Sequence, residues 1–310
     1  MSPRARGLIM ASTTALSWAV LAIGLKFALQ EFSTGTIVWI RMLVAFSILF
    51  GFALYARREW LNILYRPPLA GVIAGVMIAM NYFGFMKGVE LTTASNAQIL
   101  IQLAPLGFAI ASVFMFKEIP TRQQWLGMLI ALTGFGFFYW DQILISLVEI
   151  DRFQEGNLWL IVAAATWIVF ALIQKKLIQK AYRPQQFNLL MYAVSAVILF
   201  PTFTASELTD ISPLMIGVLA FLSINTVVAY GALSEALSLI PAAHVSMIIA
   251  VNPLLTLAIM TYLTQMEVEW IKGEPIHWRG FLGAFLVVVG VILTVTSVPR
   301  LSRRKSSSTI

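Results

Sequence analysis

Ten long apolar blocks alternate along this chain with short breaks that carry charge, proline or glycine. They run over residues 7–29, 35–56, 68–88, 94–116, 123–140, 157–179, 185–205, 213–237, 243–263 and 278–297. Each is close to the ~20 apolar residues that carry an α-helix across the hydrocarbon core of a bilayer. The other spanning solution, a closed barrel, requires apolar and polar residues to alternate. A block such as Leu282 to Leu293 has no such alternation, so the pattern predicts an all-α integral membrane protein with ten transmembrane helices. Arg4 and Arg6 ahead of the first block resemble the basic start of a signal peptide. The apolar stretch from Gly7 to Leu29 is longer than the ~7–15 residues of a signal core, so it is read as a retained first helix.

Composition narrows the function. Of 310 residues, 59% are hydrophobic and 11% charged, and the mean hydropathy is +0.85. A soluble domain has roughly 25% charged residues, so this chain lacks the polar surface of a soluble enzyme. No break between the blocks reaches the ~50 residues of a small separate domain. Cysteine is absent and the two histidines are His244 and His277, which excludes disulfides, thiolate chemistry and histidine-cluster metal sites. No catalytic residue, metal or cofactor is expected.

The net charge of +7 changes meaning once it is distributed. With the amino terminus inside, the inner segments hold 15 of the 21 basic residues, among them Arg57, Arg58, Lys175, Lys176 and the tail Arg303, Arg304 and Lys305. Eleven of the 14 acidic residues fall outside, which gives +12 inside and −5 outside. Basic residues flanking spans favour the cytoplasm. Both termini are therefore predicted cytoplasmic, in a multi-pass protein of the inner (plasma) membrane. The basic surplus reads as topology and contact with anionic lipid, not as nucleic-acid binding.

The sequence also repeats itself. At an offset of 149, Ala15, Trp18, Val20, Ala22 and Lys26 fall on Ala164, Trp167, Val169, Ala171 and Lys175. At 148, Tyr82, Leu91, Ala94, Pro105 and Leu106 fall on Tyr230, Leu239, Ala242, Pro253 and Leu254; at 156, Glu118, Gly127 and Gly134 fall on Glu274, Gly283 and Gly290. The change of offset places an eight-residue insertion around Gln265 to Gly273. Five helices per copy is an odd number, so the copies cross the membrane in opposite directions. Inverted repeats of this kind belong to secondary transporters, in which a site between the halves faces either side in turn. The alternative is a duplicated membrane scaffold without transport.

Several of these residues carry a family resemblance. The repeat ends, Lys117-Glu118-Ile119-Pro120-Thr121-Arg122-Gln123-Gln124-Trp125-Leu126-Gly127 and Gly273-Glu274-Pro275-Ile276-His277-Trp278-Arg279-Gly280-Phe281-Leu282-Gly283, place a Glu at the end of the fourth helix of a repeat and glycines in the fifth. With Trp18, Trp167, Pro105, Pro253 and Ile40-Arg41, the chain resembles the EamA-type transporters of the drug/metabolite superfamily over residues 8–297. The resemblance implies a first repeat at 7–140, an external linker at 141–156, a second repeat at 157–297 and a basic tail at 298–310. It also implies an inner-membrane carrier, often an exporter of amino acids or other metabolites, with a central cavity between the halves. The insertion before Glu274 departs from the compact family pattern.

Polar side chains deep in a spanning helix face the protein interior or a water-filled path. The candidates for a substrate cavity are Trp18, Asn81, Tyr82, Gln98, Gln102, Trp167, Asn225, Tyr230, His244 and Asn252. Gln98, Gln102 and Pro105 share one helical face. The amides either bond a substrate or tie helices together; the aromatic pairs either flank a pocket or pack. Pro105 and Pro253 are candidate hinges or static kinks, since each removes a backbone donor in mid-helix. Arg41 is positioned to attract a carboxylate, but snorkelling to the outer headgroups is favoured. Glu267, Glu269 and Glu274 are read as a solvated external loop. With no acidic residue at mid-membrane, facilitated diffusion or weak proton coupling, with His244 as a proton site, is favoured over a dedicated relay. The leading function is export of small metabolites such as aromatic or neutral amino acids by alternating access. A multidrug or cation exporter of the same fold and, less favoured, a lipid-modifying enzyme stand as alternatives, and the protein is either a monomer or a homodimer.

Overall fold

Serine, threonine and proline open most of the helices. α1 (Pro3–Ala28) and α2 (Thr34–Ala56) start on Ser2 and Ser33, whose hydroxyls accept from the backbone N–H of Ala5 and Thr36. α3 (Leu69–Leu91) follows Pro68, and α4 (Ala94–Leu100) is capped by Thr93, which accepts from Asn96 N–H at 3.0 Å. Such caps satisfy the free donors of a first turn. α5 (Leu103–Phe116), α6 (Arg122–Ile145) and α7 (Ile150–Gln179) complete the first half and enter the second. α8 (Pro184–Leu199), α9 (Pro213–Leu239), α10 (Asn252–Gln265) and α11 (Trp278–Thr296) follow. The computed structural model describes every residue except 117, 120, 146–149, 180–181, 241–244, 246–247, 271–272, 275, 297–299 and 302–310.

Among the described residues, six helices are long and apolar enough to span a bilayer: α1, α2, α3, α9 and α11, and α7 through Gln174. The block at 94–116 is two helices, α4 and α5, interrupted at Ile101 and Gln102. Its repeat mate is likewise interrupted at Ala250 and Val251 before α10. α8 stops at Leu199, short of the predicted 205, because a 3₁₀ turn containing Pro201 follows. The predicted linker is helical over 141–145 and 150–156; charged residues such as Asp151 and Arg152 end the apolar block there without ending the helix. Outside the helices, Glu118–Ile119 pairs antiparallel with Arg300–Leu301.

The packing repeats with the sequence. Exchanging the halves maps α1 to α7, α2 to α8, α3 to α9 and α6 to α11. Under that exchange the α3–α7 contact maps onto α9–α1, α3–α8 onto α9–α2, and α5–α7 onto α10–α1, and all six are present. α2–α8 and α6–α11 are their own mates, and both are present. The symmetry reaches single bonds. Asn81 Nδ2 donates to Ala163 O at 2.8 Å, and Thr14 Oγ1 donates to Ala229 O at 3.2 Å; residues 14 and 163 stand 149 apart and 81 and 229 stand 148 apart. At the α6–α11 crossing, a Cβ on Gly134 would lie 2.7 Å from Gly283 O, and one on Gly127 2.7 Å from Gly290 O. These four glycines let the helices meet backbone to backbone within one chain.

The polarity of the molecule is reversed relative to a soluble protein. Trp125, Leu129, Leu132 and Trp140 of α6, with Trp278 and Phe285 of α11, point outward and are exposed. Thr14, Arg41, Asn81, Asn96, Gln98, Asn225, Thr226, Asn252 and Thr256 are buried. An apolar exterior, with these polar side chains kept inside among a larger apolar core, is the arrangement a lipid solvent selects. The largest apolar cluster joins α1, α2, α3, α7, α8 and α9 through residues such as Leu25, Met42, Ile78, Leu160, Phe187 and Tyr192.

Candidate functional site

Proline sets the local geometry of the centre. Pro105 has no N–H to offer the carbonyl of Ile101, which instead accepts from Ala104 N at 2.9 Å. Pro253 opens α10 in the same way, with Leu254 N bonded to Val251 O at 3.0 Å. Both interruptions open onto one cavity of ≈ 320 Å³. Ile101, Gln102 and Pro105 line it from the first half, and Ile249, Ala250 and Asn252 from the second. Interrupted helices facing each other across a cavity supply unpaired backbone groups where a membrane site needs them.

Eight of the ten predicted cavity residues line this space: Trp18, Asn81, Tyr82, Gln98, Gln102, Trp167, Tyr230 and Asn252. Trp18 packs edge-on against Tyr230 with ring centroids 5.8 Å apart, and Trp167 packs edge-on against Phe108 at 6.2 Å. Asn225 does not line the cavity; its Nδ2 donates to Ser17 O at 3.0 Å and ties α9 to α1. Pro105 lines the cavity, while Pro253 is buried beside it without lining it. His244 lies outside the described residues. Sequence reasoning missed Phe85, Leu233, Val291 and Val295, which complete the apolar wall. The i, i+4 spacing of Val291 and Val295 was the available signal, but the repeat matches did not extend to them.

Asn81, Gln98 and Asn252 tie helices together and line the cavity at once. Asn81 bonds α7 as described, and Gln98 Nε2 donates to Trp18 O at 2.9 Å. Gln98 Oε1 in turn accepts from Asn252 Nδ2 at 3.3 Å, which joins the two halves. Asn252 Oδ1 is buried without a partner among the described residues. The side chain of Gln102 has no hydrogen-bond partner among the described residues, and the residue lines the cavity.

Arg41 does not snorkel. It is 2% exposed, lines the cavity, and directs Nε and Nη2 at Thr226 Oγ1 at 3.2 and 3.1 Å. Its guanidinium carbon stands 5.3 Å from the centroid of the Tyr82 ring, a cation–π geometry. Thr226 and Tyr82 together offer an interior solution that the route to the headgroups would forfeit.

At the end of the bundle where α1 finishes and α4 begins, the two halves are tied. Within the first half, Lys26 Nζ joins α1 to the end of α3, donating to Val89 O at 2.7 Å and Thr92 O at 2.6 Å, and the contacts between the halves gather around it. The insertion folds onto α1: Gln30 Nε2 donates to Trp270 O at 2.7 Å, and the Trp270 and Phe27 rings meet at 5.3 Å. Glu207 accepts from Ser33 N at 2.9 Å. Glu274 is not solvated as expected for its loop. It is 5% exposed and accepts from Ala94 N at 2.8 Å and Ser95 N at 3.1 Å. Burial holds its carboxyl above the usual range, against the pull of those hydrogen bonds and of the Lys26 charge. Among the described residues, no three His, Cys, Asp or Glu side chains gather as a metal site.

Comparison with known proteins agrees with this architecture. The model of the EamA-like transporter family matches residues 5–140 and again 154–296. The chain is 30% identical over 290 residues to the uncharacterized inner membrane transporter YhbE of Escherichia coli (strain K12), covering 92% of this chain and 90% of that one. It is 27% identical over 289 residues to an uncharacterized transporter of Haemophilus influenzae, covering 93% and 94%. A solved crystal structure matches with a TM-score of 0.64 at 15% identity, covering 93% of this chain and 96% of the other, a likeness of fold alone.

Proposed function

The chain belongs to the EamA-like transporter family, and from that membership we propose that this membrane transporter is a secondary carrier of the inner membrane, moving small metabolites outward by alternating access. Ten spans in two inverted five-helix repeats, with both termini cytoplasmic, is the topology proposed. The observation that carries the reading is the cavity at the junction of the halves, lined by both helical interruptions and by side chains of both repeats. Its volume lies at the lower end of the ~300–1,000 Å³ range of small-molecule sites, which suits one compact cargo. The flat apolar faces of Trp18 and Trp167 and the amides beside them suit aromatic or neutral amino acids. Pro105 and Pro253 act as the hinges. Among the described lining residues there is no carboxylate, which favours facilitated diffusion or weak proton coupling and disfavours bulky cationic drugs.

The test is flux in proteoliposomes with labelled amino acids, nucleosides and drugs, with and without a pH gradient. Trp18→Ala and Tyr230→Ala are expected to lower flux of every accepted cargo about tenfold or more while the protein inserts normally. Wild-type rates in both variants would remove the cavity from the transport path.

A further inference from the structure

We propose that Arg41 is the specificity-determining residue of this cavity and that the cargo is an amphipathic monocarboxylate, recognised through its acidic group with no need of an ammonium. The proposal rests on the cavity being the cargo site. Arg41 is the formally charged residue among the described lining, and no described salt bridge engages it. Thr226 Oγ1 takes Nε and Nη2, and Tyr82 takes the ring-face contact, which leaves Nη1 without a described acceptor. A guanidinium does not shed its proton at any physiological pH. A buried charge without a counter-charge is costly, so an entering anion gains both the Coulombic pairing and a charge-assisted hydrogen bond.

The rest of the lining narrows the anion. One cation balances one negative charge, and a doubly charged phosphate would leave a surplus in a wall built largely of Trp18, Leu21, Phe85, Trp167, Val291 and Val295. That wall suits an apolar body. No described lining residue is acidic, so an ammonium would meet only neutral acceptors such as Asn252 Oδ1. The asymmetry is particular to the first repeat: α8, the repeat mate of α2, has no basic residue along its length.

The experiment measures binding to the purified full-length protein by quenching of its tryptophan fluorescence, using four probes that share a phenylethyl body. These are 3-phenylpropionate, phenylalanine, the neutral 3-phenylpropionamide and the cation phenethylamine. The acid is expected to bind at least tenfold tighter than the amide and the amine, and at least as tightly as phenylalanine. Arg41→Gln is expected to erase that preference and Arg41→Lys to keep part of it. Equal binding of acid and amide, strongest binding of the amine, no binding of any probe, or an unchanged preference in a folded Arg41→Gln protein would each overturn the proposal. Should Arg41→Gln fail to fold, the probe series on the wild type decides. Flux of the same probes separates this from the carrier reading. An acid that is bound but never moved sinks the carrier and leaves the recognition standing; neutral or cationic probes moved in preference to the acid do the reverse.

Discussion

Two amides that line the cavity, Asn81 on α3 and Gln102 in the interruption between α4 and α5, perform different tasks. Asn81 spends its Nδ2 on Ala163 O across α3 and α7, so Asn81→Ala is expected to cost about 0.6–1.7 kcal/mol, the range measured for side-chain hydrogen bonds between membrane helices. The Gln102 side chain has no partner among the described residues, and the residue lines the cavity. Gln102→Ala is expected to leave the melting temperature in detergent unchanged and to lower flux several-fold. Melting and flux measured on both variants check the split; a Gln102→Ala protein that melts early with normal flux would reassign it to structure. Most of the polar and aromatic lining of the cavity was legible in the sequence because such residues deep in an apolar block are rare enough to stand out. Asn225 stood out for the same reason but serves the α9–α1 joint, since an amide bonded to a neighbouring carbonyl and one left for cargo look alike in sequence. Arg41 was misjudged because its two partners, Thr226 and Tyr82, lie 185 and 41 positions away.

At the scale of elements, block lengths and repeat offsets predicted the order of helices and the paired glycines at 127, 134, 283 and 290. They left open whether those glycines meet within or between subunits. The answer is within: a Cβ on Gly290 would collide with the backbone of Ala131 and Gly127. Gly136, two residues from Gly134 on α6, has nothing within 4 Å of its would-be Cβ. Gly290→Ala is therefore expected to destabilise the protein by the about 1–3 kcal/mol typical of overpacking, while Gly136→Ala melts with the wild type. Equal melting temperatures for both would mean the crossing gives way freely. The helical interruptions at Ile101 and Ala250 were only half legible. Pro105 and Pro253 flagged a lost donor, but a kink and a full break share that signal, and here the chain turns through i, i+3 bonds at both places.

For the whole molecule, the proposed alternating access would require that one end open as the other closes, and the ties at the α1–α4 end are the contacts such a motion would have to break. Gln30, Ser33, Ala94 and Ser95 come from the first half, and Trp270, Glu207 and Glu274 from the second. Of these, Glu274 makes the closure depend on pH. Its carboxyl is held above the usual range here by burial, whereas in an opened, hydrated end it would titrate at its ordinary value. The closed end therefore holds the proton more tightly than the open one, and by linkage opening releases it. The advantage to closure is complete below the ordinary carboxyl range and is lost as pH rises through the raised pKa, so opening gains between those two values and no further above them. The chain has no cysteine, so a single Ile23→Cys, buried behind the ties beside Ala94 and Met260, reports opening by its rate of maleimide labelling. That rate also follows the thiolate fraction, a factor common to both backgrounds when the same cysteine is placed in wild type and in Glu274→Gln. The ratio of the two rates is expected to rise several-fold with pH, because glutamine keeps the neutral form at every pH. A ratio that stays flat between pH 4 and 9 would show that the end opens without regard to the charge on Glu274.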